Sequence, residues 1–157
     1  MRIGQGYDVH PFEQGKRLVL GGVVFDGERG LAGHSDGDAL THALIDALLG
    51  AAALGDIGTH FPSSDQRWRD ADSLELLKQV AKVVVAAGYS IINVDMTVVA
   101  EQPRVAPRVR DMRARLAQAM GLDIGQVSVK ATTTDGLGTL GRGEGIAAQA
   151  IALVEER

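Results

Sequence analysis

The chain has 157 residues, 45% of them hydrophobic and 23% charged. That is enough for one domain, residues 1–157, with an apolar core and no need of disulfides or a structural metal. A formal net charge of −4 argues against a nucleic-acid partner, and the lack of cysteine suits a reducing compartment. No apolar run reaches bilayer length and no secretory signal opens the chain, so the expectation is a cytoplasmic protein of bacterial type without a membrane partner. A removed organelle-targeting segment is the alternative.

Apolar Met1 and Ile3 lead into a first strand expected over Arg2 to Asp8. A second extended region, Arg17 to Phe25, is broken by Gly21-Gly22 and reads as a hairpin or bulged strand. Leu40, Ala43, Leu44, Ala47, Leu48 and Ala51 recur at helical spacing, which predicts a helix from Asp38 to Leu54 with Ser35, Asp36 or Asp38 as its cap. Polar residues and Pro62 make Gly55 to Ala71 a mobile surface loop by expectation. Asp72-Ser73-Leu74-Glu75 resembles a capping box for a second helix ending near Gly88.

Ile92, Val94, Met96 and Val98 alternate with polar residues, the pattern of a half-buried strand over Tyr89 to Ala100. A third helix is expected from Pro107 to Gly121, and another strand over Val127 to Thr133. A glycine-rich loop, Gly136 to Gly145, precedes Ile146 to Val154, where alanine obscures the period. We read this last segment as a strand. The order ββ, αα, β, α, ββ predicts an α+β fold: a two-layer sandwich, with a mixed sheet of about four main strands and three helices on one face.

Chemistry concentrates in three places. Asp8 and His10 lie two apart on a strand, so both point to one side. Alone they are equally a turn carboxylate and a surface imidazole. His42, mid-helix, completes a set of two imidazoles and one carboxylate suited to catalytic zinc with an open position. Asp46, one turn on, stands where it can accept the second ring N–H of His42. The segment His34-Ser35-Asp36-Gly37-Asp38 is a helix start rich in caps, and its acids would oppose a phosphate unless His34 or a metal intervened. Finally, Lys130-Ala131-Thr132-Thr133-Thr134-Asp135 runs into Gly141-Arg142-Gly143-Glu144-Gly145. Hydroxyls, backbone amides and Arg142 there can cradle phosphate, and Asp135 can hold Mg2+ against it. No Ser or Thr sits in a nucleophile motif, so a metal is the expected agent of any chemistry.

Together these motifs, with Ala32-Gly33-His34-Ser35-Asp36-Gly37-Asp38, Gly50 to Gly58, Phe61-Pro62 and Asn93-Val94-Asp95, resemble the 2-C-methyl-D-erythritol 2,4-cyclodiphosphate synthase family over the whole chain. The resemblance implies a homotrimer with active sites between subunits. It implies Zn2+ (or another divalent transition metal) at Asp8, His10 and His42, and Mg2+ or Mn2+ at Asp135 with the diphosphate. The implied substrate is 4-diphosphocytidyl-2-C-methyl-D-erythritol 2-phosphate, whose 2-phosphate attacks the β-phosphate and releases CMP. His34 and Thr133 match the catalytic transition-state stabilisers, and Asp8, His10, Ser35, Thr132 and Thr134 match neighbouring substrate contacts. Asp56, Ile57 and Gly58 match the part that holds erythritol hydroxyls, and the loop Phe61, Pro62, Ser63, Ser64, Asp65 would cover it. Ala100 to Ala106, with Pro103, matches a backbone pocket for cytosine, and Arg142 would face phosphate.

Two positions depart from the family pattern. Asp135 stands where glutamate is usual, and Thr139-Leu140 replaces a common aromatic residue. Some relatives carry a fused cytidylyltransferase domain, for which this chain has no room. Two rival readings use the same residues: a zinc-dependent phosphohydrolase, and a non-catalytic trimeric binder of cytidine nucleotide or isoprenoid diphosphate. In the second, Arg142 and Glu144 would lie near the trimer axis.

Overall fold

The computed structural model describes residues 1–157. Its first strand, β1 (Arg2–Glu13), runs five residues beyond the Asp8 expected as its end. Two short strands follow, β2 (Leu18–Leu20) and β3 (Val23–Phe25), joined as a hairpin through Gly21 and Gly22. Both glycines have positive φ, 55° and 71°, as a tight two-residue hairpin turn requires. After β4 (Gly30–Leu31) comes α1 (Ala39–Ala52), with Asp38 as its cap.

The region expected to be an open loop contains the one-turn helix α2 (Ile57–His60) and a 3-10 turn at Gln66–Trp68. Its apolar residues explain the correction: Ile57, Phe61 and Trp68 pack against the core, and the Phe61 and Trp68 rings meet edge-on with centroids 5.0 Å apart. Next are α3 (Ser73–Ala86), β5 (Tyr89–Val99), a 3-10 turn at Ala106–Arg108 and α4 (Val109–Met120). The third helix thus begins two residues after Pro107 and ends on Gly121 in the left-handed conformation. β6 (Val127–Thr132), the one-turn α5 (Gly138–Gly141) and β7 (Gly145–Glu156) close the chain.

The main sheet has five strands in the order β4-β1-β7-β5-β6. Four of them are long; the fifth, β4, contributes only two residues. β6 runs parallel to β5 and the remaining neighbours are antiparallel, so the sheet is mixed. The β2–β3 hairpin forms a separate ribbon rather than joining it. The three long helices lie on one face, giving the expected two layers. No helix is long and apolar enough to cross a membrane.

The closest joint between the layers is α1 against β1. A Cβ at Gly4 would fall 2.0 Å from the Ala47 carbonyl oxygen, and one at Gly6 would fall 1.9 Å from that of Ala43. Only glycine lets the helix backbone approach the strand so closely. Asp8 and His10 continue the same side of β1, so they point toward α1, which carries His42. The opposite side of the sheet has no helix over it, and Ile3, Tyr7, Val9 and Ile151 stand exposed there.

Candidate functional site

Asp38, fully buried, fixes the start of α1. Its carboxylate accepts hydrogen bonds from the backbone N–H of Thr41 (3.0 Å), Gly21 (2.9 Å) and Gly22 (2.8 Å), and from the Thr41 hydroxyl (2.7 Å). Burial, and then the charge of Asp36, push its pKa up, against these hydrogen bonds. The helix start is thereby tied to the β2–β3 turn, and His42 follows one turn later.

Asp8, His10 and His42 converge. His10 Nε2 lies 2.7 Å from Asp8 Oδ2, His42 Nδ1 lies 3.0 Å from the same oxygen, and the two ring nitrogens are 3.3 Å apart. The three candidate ligand atoms all lie within 4.8 Å of one another. The far side of each ring is already engaged. His10 Nδ1 donates to the Ala32 carbonyl. His42 Nε2 stands 2.9 Å from Ser73 Oγ and 2.9 Å from Ser35 Oγ. Ser73 Oγ in turn donates to Asp36, so His42 Nε2 carries the hydrogen and its Nδ1 lone pair faces Asp8. Two lone pairs and a carboxylate oxygen aimed at one point form a donor set that fits a divalent metal.

Asp46 is not the second partner of His42. Its Oδ1 accepts from the Ile57 backbone N–H at 2.8 Å, anchoring α2 beside the Asp8–His10–His42 cluster. Sequence spacing missed Ser73 because it lies on another helix, 31 residues away. Burial tends to raise the pKa of Asp8, but the adjacent His10 and His42 rings, close enough to hydrogen-bond to its carboxylate and to counter its charge, hold it well below the usual carboxylate range.

A cavity of about 270 Å³ opens on this centre. Of the expected residues, Asp8, His10, His34, Ser35, His42, Ile57, Gly58, Phe61 and Ser63 line it, joined by Asp46, Trp68 and Leu76. Asp56 caps α2 from just outside, its side chain accepting from Thr59 N–H at 2.8 Å. Pro62, Ser64 and Asp65 continue the same loop without lining the cavity, and Asp65 is paired with Arg67.

A second cavity, about 460 Å³, is lined by Ala100, Pro103, Ala106, Thr132 and Thr133, with Glu101 and Arg104. Glu101 lies within the expected Ala100 to Ala106 pocket segment, but a role for its side chain is not legible in the sequence. Its Oε1 accepts from the backbone N–H of Thr134 (3.0 Å) and Gly136 (3.3 Å), so it shapes the threonine loop. Asp135 sits in that loop at φ 52°, its Oδ1 accepting from the Thr133 hydroxyl at 3.2 Å. Arg142 is exposed and paired with Glu144 at 2.7 Å.

The two cavities share no residue. In the sheet, Asp8 pairs with Ala148, and Ala148 with Val98, so β7 separates β1, which carries Asp8 and His10, from the strand leading to Ala100. One chain therefore brings Asp8, His10 and His42 together with His34, but not with Thr133 or Asp135.

The YgbB family matches residues 1–155. The chain belongs to this family. It is 59% identical over 157 residues to 2-C-methyl-D-erythritol 2,4-cyclodiphosphate synthase of Moorella thermoacetica, covering 100% of this chain and 96% of that one. To the synthase of Syntrophomonas wolfei it is 57% identical, covering 99% of both chains. Among solved structures, the bifunctional IspDF of Campylobacter jejuni superposes with a TM-score of 0.96 at 42% identity, over 99% of this chain and 42% of that longer one. A Plasmodium falciparum IspF–CDP complex gives a TM-score of 0.87 at 33% identity, over 99% of this chain and 96% of that chain.

Proposed function

We propose that the chain cyclises 4-diphosphocytidyl-2-C-methyl-D-erythritol 2-phosphate to 2-C-methyl-D-erythritol 2,4-cyclodiphosphate. An oxygen of the 2-phosphate bonds to the β-phosphorus, the bond to the bridging oxygen breaks, and CMP leaves with that oxygen. The observation that carries the reading is the Asp8–His10–His42 donor set at the mouth of a cavity, in a chain whose near full-length relatives are named for this synthase. The substrate brings its own nucleophile, so the protein must supply position and charge neutralisation.

Zn2+ at Asp8, His10 and His42, with Mg2+ or Mn2+ at Asp135, would supply Lewis-acid neutralisation of phosphoryl oxygens. His34 and Ser35 would donate hydrogen bonds to the β-phosphate, and Thr133 to the α-phosphate side. Asp56 and the backbone at Ile57 and Gly58 would orient the erythritol hydroxyls. The Phe61 to Asp65 segment would exclude water, with Ile57, Phe61 and Trp68 as its apolar wall. Ala100 to Ala106 would hold cytosine through backbone groups, and Thr132 and Thr134 would flank the diphosphate.

A homotrimer reconciles the two cavities, since the threonine loop of one subunit can complete the metal cavity of the next. The exposed apolar residues Ile3, Tyr7, Val9 and Ile151 support burial of that sheet face between copies. Arg142 with Glu144 would then lie toward the axis, where an isoprenoid diphosphate could bind. The test is CMP release by the purified protein with and without chelator, together with ³¹P NMR of the product. A cyclic diphosphate is expected; free inorganic phosphate would indicate hydrolysis instead. Light scattering should give three chains per particle, and a monomer would overturn the shared site.

A further inference from the structure

The cavity at the metal centre contains no lysine or arginine; its charged side chains apart from histidine are Asp8 and Asp46. A diphosphate could be met there by the metal, but a second phosphate brought alongside would find no cation of the protein's own. Beyond His34 lies a separate cavity of about 320 Å³ without a single apolar residue, bordered by Lys16, Gly33, His34, Gln66, Arg69 and Asp70. His34 borders both cavities. We infer that this basic cavity, through Lys16 and Arg69, binds the 2-phosphate of the substrate while the β-phosphate occupies the metal cavity. The inference rests on the function proposed above and names where its nucleophile is held.

Three observations converge on an anion here. First, Lys16 and Arg69 take part in none of the chain's ion pairs, which use Arg67, Lys78, Arg108, Lys130 and Arg142 instead. Lys16 is half-buried, where an unpaired ammonium is unfavourable unless a counter-charge arrives. Second, His34 Nε2 is buried and has no hydrogen-bond partner. Buried polar groups are nearly always satisfied, so this orphan nitrogen, in a residue that borders both cavities, marks a place where a contact is missing. Third, the walls are held in place by backbone bonds. Asp70 N–H donates to the His34 carbonyl at 2.8 Å, and Gly30 N–H donates to the Lys16 carbonyl at 3.0 Å. Asp70 holds its backbone at φ 55°, a left-handed turn that a non-glycine residue rarely adopts. Asp70 borders the cavity and forms an ion pair with neither cation.

Separate counter-charges suit the chemistry, provided that the two phosphates meet beside His34. The attacking oxygen must approach the β-phosphorus within about 3–3.5 Å, although both groups are anionic. Two cations on one side of His34 and a metal on the other place separate counter-charges on the two phosphates. The shared imidazole then stands at the line along which they meet. Arg69, with a planar fork, suits the three oxygens of a phosphomonoester, and Gln66 adds an amide donor.

The test compares two ligands differing only in that phosphate. Direct binding of 4-diphosphocytidyl-2-C-methyl-D-erythritol, which lacks the 2-phosphate and cannot cyclise, is measured by calorimetry for the wild-type protein, Lys16→Met, Arg69→Met and Arg69→Lys. The KM for the 2-phosphorylated substrate is measured for the same proteins. Loss of a charge-assisted contact should raise KM on the order of tenfold in each methionine variant, with partial recovery in Arg69→Lys. Affinity for the ligand lacking the phosphate should not change. Equal weakening of both ligands, or no change in KM, would overturn the inference. A wild-type protein that releases no CMP would instead overturn the proposed function, a separate outcome read before any variant is made.

Discussion

Ser73, the first residue of α3, reaches His42 on α1: its Oγ lies 2.9 Å from His42 Nε2 and donates its own hydrogen to Asp36. This relay leaves His42 only one tautomer, with the Nδ1 lone pair toward Asp8 and His10. Replacing Ser73 with alanine removes the acceptor whose own hydrogen is committed to Asp36, and leaves only Ser35 Oγ, which can donate as well as accept and no longer fixes the tautomer. Such partners are typically worth about 10- to 100-fold in metal affinity. Competition with a chromogenic chelator should show a loss of that size for Zn2+, with little change in the melting temperature. Unaltered affinity would mean that Ser73 does not orient the ligand.

His42→Ala should remove the bound metal and CMP release while leaving the fold intact. The core is a single cluster of 37 buried residues that includes none of the three ligands, so the metal is not needed to build it. Elemental analysis finding stoichiometric zinc in the variant would disprove the ligand assignment.

Gly6→Ala tests the contact between layers. The new Cβ would meet the Ala43 carbonyl oxygen at 1.9 Å, forcing α1 away from β1 one residue after His42 on the helix and two residues before Asp8 on the strand. Overpacking of this kind costs about 1–3 kcal/mol, and it should separate His42 from Asp8 as well. Gly50→Ala is the control. It lies exposed in α1 with nothing within 4 Å of the added Cβ, and should gain about 0.5–1 kcal/mol from helix propensity. Denaturant melts and zinc titration of both variants distinguish a steric cost from a general intolerance of change at glycine.

Zinc binding should strengthen with pH. In the metal-free chain burial disfavours a charge on His10, but the hydrogen bond and charge of Asp8 outweigh it and raise the pKa above 6.5. A raised folded pKa means that the protonated pair stabilises fully below 6.5 and loses that contribution as pH climbs through the folded value. The metal must displace this proton, so apparent affinity climbs over the same window and levels off above it. Chelator competition at a series of pH values checks this; an affinity flat across the window would contradict it.

Asp135 sits in a loop shaped by Glu101 and places its carboxylate one methylene short of the glutamate usual in the family. Mg2+ accepts one carboxylate directly or through water but tolerates little error in distance. Asp135→Ala should lose most CMP release while keeping zinc, and Asp135→Glu should lower the Mg2+ concentration needed for half-maximal rate. Identical half-saturation in all three proteins would remove position 135 from the metal-binding set.

Local pattern in the chain was enough for most elements. Alternation over β5, helical spacing in α1 and the glycine break between β2 and β3 are properties of neighbouring residues, and each determines its own element. The two-residue spacing of Asp8 and His10 likewise ensured a common face. The loop from Gly55 to Ala71 misled because its polar residues outnumber Ile57, Phe61 and Trp68, whose burial depends on a core made by distant segments.

What tertiary structure alone decided is which groups meet. Asp46, the carboxylate one turn beyond His42, turned to the Ile57 backbone, while Ser73 from α3 took the ring nitrogen. Lys16, before β2, and Arg69, before α3, came to border one cavity with His34. Hydrogen bonds and charge pairs act over a few ångströms of space, and the chain distance between partners leaves no periodic trace. The sequence therefore determined the faces of its strands and helices and the ligand types they carry, and packing of α1 onto Gly4 and Gly6 decided where those ligands converge.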